Sequence, residues 1–216
     1  PFVILSRKPI SDGMDGGVKM KAACLLLLAA AAAVAGETGD ILSCDGKKVS
    51  FSIPGKVVVI LASSQPLADR TREFGKALYG WQGREEFRVI VVVDLRNSLG
   101  TLFKGWTTGK MRADLDEEAE RLIPWYRANQ NMRNPRGDLC GVADFSGKAT
   151  DFLAWGQDDT KMKVKIFGKS GDVVWSDMDA KTPETLRHEV GKLLGEPVPT
   201  PPDAAPKKSR IILRKG

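Results

Sequence analysis

Gly55-Lys56-Val57-Val58-Val59-Ile60-Leu61-Ala62-Ser63-Ser64-Gln65-Pro66 is the stretch from which the rest of the chain can be read. Residues 57–62 are uninterruptedly apolar and rich in β-branched side chains, the pattern of a strand buried on both faces. Pro66 suits the first turn of a helix, where a missing N–H costs nothing. Leu67, Phe74 and Leu78 then fall on one face at helical spacing, which predicts a helix over 66–79. Residues 87–94 repeat the buried-strand pattern, with Val89 to Val93 unbroken. Two such strands joined by a helix form a βαβ unit, with parallel strands and a right-handed crossover.

Working outward, Gly46 and Pro54-Gly55 bracket a short alternating strand at 49–53. Downstream, residues 100–109 are rich in glycine and threonine and read as loop. Residues 114–126 read as a helix with Leu115, Ala119, Leu122 and Ile123 inward, kinked or ended by Pro124. A polar, turn-prone stretch fills 129–137, a third strand 138–143, and a short helix 148–155. Residues 163–167 and 172–175 flank Lys169-Ser170-Gly171 as an antiparallel hairpin. The last helix is the best marked. Thr182 is its N-cap, Pro183 its first residue, Glu184 complements the dipole, and Gly195 ends it. Its buried stripe is Leu186, Val190, Leu193 and Leu194.

The 216 residues are 42% hydrophobic and 28% charged, so collagen, wholesale disorder and a disulfide miniprotein are excluded. The net charge of +6 is concentrated at the ends. Arg7, Lys8, Lys19 and Lys21 against Asp12 and Asp15 give +2 over residues 1–35. Lys207, Lys208, Arg210, Arg214 and Lys215 against Glu196 and Asp203 give +3 over 196–216, leaving +1 for the body. A nucleic-acid-binding domain carries its cations on the folded body, so nucleic acid is excluded as a partner. Met20-Lys21, the apolar run 22–34 and Ala33-Val34-Ala35 make a secretory pattern with cleavage near Ala35, hence a periplasmic or secreted protein. The domain plan is 1–19 as an upstream leader, 20–35 as signal peptide, 36–195 as the folded domain and 196–216 as a disordered, proline-rich basic tail. That tail, with Ile211-Ile212-Leu213 amid cations at 207–216, could make weak contact with an acidic membrane surface.

The element order resembles the thioredoxin-like superfamily: a three-layer α/β fold with a mixed central sheet and flanking helices. Gly55 to Ile60 resembles the opening strand of TlpA-like and AhpC/TSA-like proteins. Val142-Ala143-Asp144-Phe145-Ser146-Gly147-Lys148 resembles their D-x-x-G segment. Ile123-Pro124-Trp125 with Val142-Ala143-Asp144 and Ala154-Trp155 is similar to exported YtfJ-type proteins. The resemblance covers 46–194. It implies a redox cysteine where the first central strand meets its helix, because a helix N-terminus stabilises thiolate. Ser63-Ser64-Gln65-Pro66 stands there instead. The resemblance also implies a cis-proline before the hairpin, and Asp158-Asp159-Thr160-Lys161-Met162-Lys163 has no proline.

The expected activity is therefore binding or accessory, with a protein or small-ligand partner and neither a cofactor nor a metal. Ligands of open α/β sheets collect at the carboxyl ends of the strands, which selects Ser63, Ser64, Gln65, Asp94 and Arg96. The alternative is a periplasmic thiol-disulfide oxidoreductase or peroxiredoxin-like enzyme using Cys44 and Cys140. Those two cysteines could instead form a disulfide, worth about 4–5 kcal/mol for a loop of that length, or remain separate buried thiols. Serine as a nucleophile would need a base, and the single histidine, His188, falls in the last helix beside its apolar stripe. Gly105 to Met111 lacks the glycine spacing and the Ser or Thr of a phosphate loop. Asp114, Asp116, Glu117, Glu118 and Glu120 read as helix-start carboxylates.

Overall fold

The computed structural model describes residues 41–156 and 158–201. The leader expected at 1–19, the signal peptide expected at 20–35 and the tail residues 207–216 lie outside the described residues. Nine elements follow in order: β1 (Val57–Ser64), α1 (Ala68–Ala77), β2 (Phe87–Asp94), α2 (Lys104–Ala128), β3 (Cys140–Asp144), α3 (Lys148–Phe152), β4 (Lys163–Phe167), β5 (Val173–Asp177) and α4 (Pro183–Leu194). They form one five-stranded sheet of order β3-β2-β1-β4-β5. β1 pairs parallel with β2, and β2 parallel with β3. β4 pairs antiparallel with β1, and β5 antiparallel with β4. This is the mixed sheet of a thioredoxin-like α/β fold.

β1 is the centre because it is apolar on both faces. All eight of its residues are buried. Val57, Val59 and Leu61 pack with Phe74 of α1, Leu78 and Trp81 just beyond it, and Leu186 and Val190 of α4. Val58, Ile60 and Ala62 pack on the opposite side with Phe51, Val142, Leu153 and Trp155. Each such aliphatic side chain contributes about 1.5–3 kcal/mol by leaving water. The two-sided core is what fixes the carboxyl end of β1 at the middle of the sheet edge.

Several boundaries differ from expectation, each for a local reason. Residues 49–53 do not pair as a strand: Val49 and Phe51 are buried, but the only bridge there is Leu42 with Lys48. The alternation marked a covered face without a neighbouring ladder. The helix expected over 66–79 opens instead with a 3-10 turn at Gln65–Leu67, and α1 proper is shorter. The glycine- and threonine-rich stretch expected as loop is largely helical, since α2 starts at Lys104. Tertiary packing of Ala119, Leu122 and Tyr126 carries this long helix past poor local propensity. Pro124 does not end it; the helix runs on to Ala128. The dense carboxylates therefore sit in mid-helix and not at its start. They make side-chain pairs: Asp114 with Lys110 (3.3 Å), Glu117 and Glu118 with Arg121 (2.9 and 3.1 Å), and Asp116 with Arg136 (2.5 Å).

At the carboxyl end, Leu186 and Val190 are fully buried while Leu193 is 36% exposed, so the stripe of α4 is narrower than its spacing implied. The first residues beyond α4 are held to the body. Val198 N donates to Gly80 O (3.1 Å), and Arg84 donates to the Leu194 carbonyl (2.7 Å) and the Glu196 carbonyl (2.5 Å).

Candidate functional site

Register across the parallel strands brings Ser64, Asp94 and Asp144 into one row at the sheet edge. Each is already engaged. The Ser64 hydroxyl donates to the Asp159 carbonyl at 2.6 Å. Asn97 Nδ2 donates to Asp159 Oδ2 at 2.8 Å, so the turn before β4 is tied to the loop after β2. Asp144 accepts from Thr150 N (2.9 Å) and Thr150 Oγ1 (2.7 Å), fixing the first turn of α3.

Asp94 is the most strongly held. It accepts from Arg96 through the backbone N–H (3.1 Å), Nε (3.0 Å) and Nη2 (2.6 Å). Burial alone would push its carboxyl up, but the Arg96 hydrogen bonds and charge outweigh it and hold the group below the usual carboxylate range. Arg96 Nη1 also reaches Asp151 at 3.4 Å. Its side chain lies across Gly147, whose φ is +82 and where a Cβ would meet Arg96 Nη1 at 2.5 Å. Only glycine accommodates both that φ and that approach. On the neighbouring strand, Lys163 is 6% exposed and hydrogen-bonds the Gly156 carbonyl. Burial pulls its pKa down, while Asp158 and Asp94 oppose the shift.

Beside this row opens a cavity of about 800 Å³, lined by Ser64, Gln65, Asp94, Phe103, Trp106 and Met111 among others. Its volume is in the range of small-molecule sites. A second cavity of about 840 Å³ lies between α1 and α2, with Val91 and Val93 on its floor. The two share Ala68, Arg72, Val93, Met111 and Asp114, so they are adjacent compartments over one sheet face.

Of the five residues selected from sequence, Ser64, Gln65 and Asp94 line the first cavity. Ser63 lines the second, and is buried with its Oγ 2.6 Å from Thr71 Oγ1. Thr71 donates onward to the Leu67 carbonyl (3.2 Å), so the Ser63 hydroxyl is the donor to Thr71. Arg96 lines neither cavity and acts as the clamp on Asp94. The residues missed were Asn97, Asp159, Phe103, Trp106 and Met111. Phe103, Trp106 and Met111 were hidden because the start of α2 read as loop. Asp159 carried a usable signal, since it immediately precedes the hairpin that abuts β1.

Neither serine is set up as a nucleophile. Both hydroxyls donate within the fold, and His188 is exposed on α4. The cysteines lie elsewhere. Cys44 N donates to the Gly141 carbonyl (2.8 Å), so Cys44 sits against β3, which begins with Cys140. Both are free thiols. Burial, with the Asp45 charge next, pushes the Cys44 thiol up. Burial pushes the Cys140 thiol up to about 12. A nucleophilic cysteine needs the opposite, an electropositive and accessible setting.

No family model matches the chain, and no curated protein matches it. Among solved structures it is similar to the exposed lipoprotein thioredoxin Etrx1 of Streptococcus pneumoniae, with 14% identity over 71% of this chain and 97% of that one, TM-score 0.45. It is similar to MTB dsbF at 15% identity over 71% of this chain and 92% of that one, TM-score 0.45. It is similar to a thiol:disulfide interchange protein of Chlorobium tepidum at 12% identity over 71% of this chain and 91% of that one, TM-score 0.44.

Proposed function

We propose that this chain is an exported, YtfJ-like binding or accessory protein of thioredoxin-like fold, working without thiol chemistry. Its ligand or protein partner occupies the cavity at the Ser64–Asp94 edge. The observation that carries this reading is the junction of β1 and α1. There Gln65-Pro66-Leu67 forms a 3-10 turn, flanked by hydroxyls already committed to Thr71 and Asp159. A cavity of ligand size opens beside that same turn. The two thiols, Cys44 buried and Cys140 half-buried, are both raised in pKa and add support. Export rests on the Met20 to Ala35 segment alone.

The test pairs a binding assay with an activity assay. The probe is anilinonaphthalene sulfonate, an anionic dye that brightens in apolar clefts. Ala68 is exposed and borders both cavities, so Ala68→Trp fills their shared mouth without entering the core. Dye fluorescence with the native protein should fall by more than half in the Ala68→Trp variant. Reduction of insulin disulfides by the wild type, with dithiothreitol as reductant, should not exceed dithiothreitol alone. Insulin reduction well above that background, or dye binding indifferent to Ala68→Trp, overturns the reading.

A further inference from the structure

Within eight residues the chain puts four large apolar side chains into water. Leu99, Leu102, Phe103 and Trp106 are 80%, 75%, 64% and 71% exposed. In sequence they recur at i, i+3, i+4 and i+7, and in the structure they span the 3-10 turn at Leu99–Thr101, the non-helical N-cap Phe103 and the first turn of α2. The segment is wound as consecutive turns: a 3-10 turn at Leu99–Thr101 leads into α2, with Leu102 N on the Leu99 carbonyl (3.0 Å) and Thr107 N on the Phe103 carbonyl (3.0 Å). Nothing in the sheet or core needs these side chains, and a cluster this apolar on a surface marks an interaction site.

The local charge narrows what meets it. Residues 95–113 hold Arg96, Lys104, Lys110 and Arg112 and no carboxylate. Lys104 and Lys110 are exposed beside the apolar face, and Lys104 Nζ stands 5.5 Å over the Phe145 ring. The carboxylates nearest the cavity mouth have donors of their own: Asp94 from Arg96, Asp159 from Asn97 and Asp114 from Lys110. Tryptophan, phenylalanine and leucine alongside lysine are the composition of segments that lie in a lipid–water boundary. Protein interfaces are instead depleted in lysine. No helix among the described residues is long and apolar enough to cross a membrane.

We propose that residues 99–110 form a docking face for an anionic lipid surface. Leu99, Leu102, Phe103 and Trp106 enter the headgroup–acyl boundary, and Lys104 meets the lipid phosphates. This face is distinct from the basic tail, and it shares Leu99, Phe103 and Trp106 with the wall of the cavity beside Ser64 and Asp94.

The test uses the full chain with vesicles of phosphatidylglycerol and phosphatidylcholine, and with pure phosphatidylcholine vesicles. Brominated lipid quenches tryptophan at the boundary, and the difference between wild type and Trp106→Phe isolates Trp106 whichever other segment touches lipid. Trp106 emission should be quenched on the anionic vesicles, and added salt should weaken the quenching. Lys104→Gln should weaken anionic-vesicle binding about fivefold, and Phe103→Ala with Trp106→Ala by more than about tenfold. Unchanged urea midpoints confirm that these exposed substitutions leave the fold intact. Three results overturn the proposal. One is Trp106 left unquenched on vesicles that bind the chain through another segment. Another is binding that vanishes when residues 202–216 are removed. The third is a concentration-dependent dimer, dissolved by Trp106→Ala, with no vesicle binding.

Discussion

Replacing Gly147 by alanine should remove about 2–4 kcal/mol of stability, and the structure divides that loss into two parts. The first is backbone. Gly147 sits at φ +82, where an L-residue with a Cβ loses about 1–2 kcal/mol. The second is the guanidinium. The new Cβ would stand 2.5 Å from Arg96 Nη1 and 2.6 Å from Arg96 Cδ, closer than atoms can approach, so Arg96 must swing out and release Asp94. The Arg96 and Asp94 side chains are 17% and 12% exposed. That lies between a surface pair worth about 0–1 kcal/mol and a buried pair whose breaking costs about 3–5, so about 1–2 kcal/mol is assigned. Urea denaturation at neutral pH measures the total through the midpoint at constant slope. Gly46→Ala is the control: its φ is +75 and no atom lies within 4 Å of the added Cβ, so it reports the backbone part alone. In an Arg96→Ala background, which removes every side-chain atom the new Cβ would meet, Gly147→Ala should fall to the Gly46→Ala value. Equal losses for Gly147→Ala and Gly46→Ala with Arg96 intact would refute the clamp.

Three further outcomes follow, two from the same edge and one from the opposite end of the strands. Asp94→Asn should lower stability at neutral pH and flatten the acid limb of the stability profile. The folded carboxyl is held below its unfolded value, so its contribution is full above about pH 4 and is lost as pH falls through the folded value; urea midpoints from pH 7 to pH 3 that run parallel to wild type would contradict this. Ser64→Ala deletes the bond to the Asp159 carbonyl, which should cost about 0.5–1.5 kcal/mol and speed amide exchange at residues 158–160. Unchanged exchange there would mean that Ser64 does not hold the turn. Tyr126→Phe removes the donor 3.0 Å from Asp138 Oδ2 but leaves Arg88 on Oδ1 at 2.8 Å. The loss in a thermal melt should stay near 1 kcal/mol, and a loss several times larger would show that Arg88 does not sustain Asp138 alone.

How legible the molecule was depended on the kind of signal. β1 and β2 were readable because a strand buried on both faces leaves a continuous apolar run, and β4 because it flanks the Lys169-Ser170-Gly171 turn; residues 87–94 and 163–167 match their strands end for end. The start of α2 was not. Gly105, Thr107, Thr108 and Gly109 carry weak local preference, and the packing of residues fifteen or so positions later decides their state. That one misreading concealed Phe103, Trp106 and Met111, the large apolar side chains that α2 and its N-cap give to the cavity wall. Ser64 and Asp94 were legible from position alone, at the carboxyl ends of adjacent parallel strands. The tie between Asn97 and Asp159 joins two loops sixty residues apart, and such contacts leave no trace in local pattern.

The central claim is that this thioredoxin-like fold binds without thiol chemistry, and cysteine reactivity tests it most directly. The native full chain would be treated with iodoacetamide near neutral pH, and labelling of Cys44 and Cys140 would be followed peptide by peptide by mass spectrometry. The two thiols, Cys44 buried and Cys140 half-buried, are both raised in pKa, Cys140 to about 12, and should label more than about tenfold slower than in the urea-unfolded chain. A native cysteine that labels faster than its unfolded counterpart would reveal a low-pKa, accessible thiolate and contradict the account.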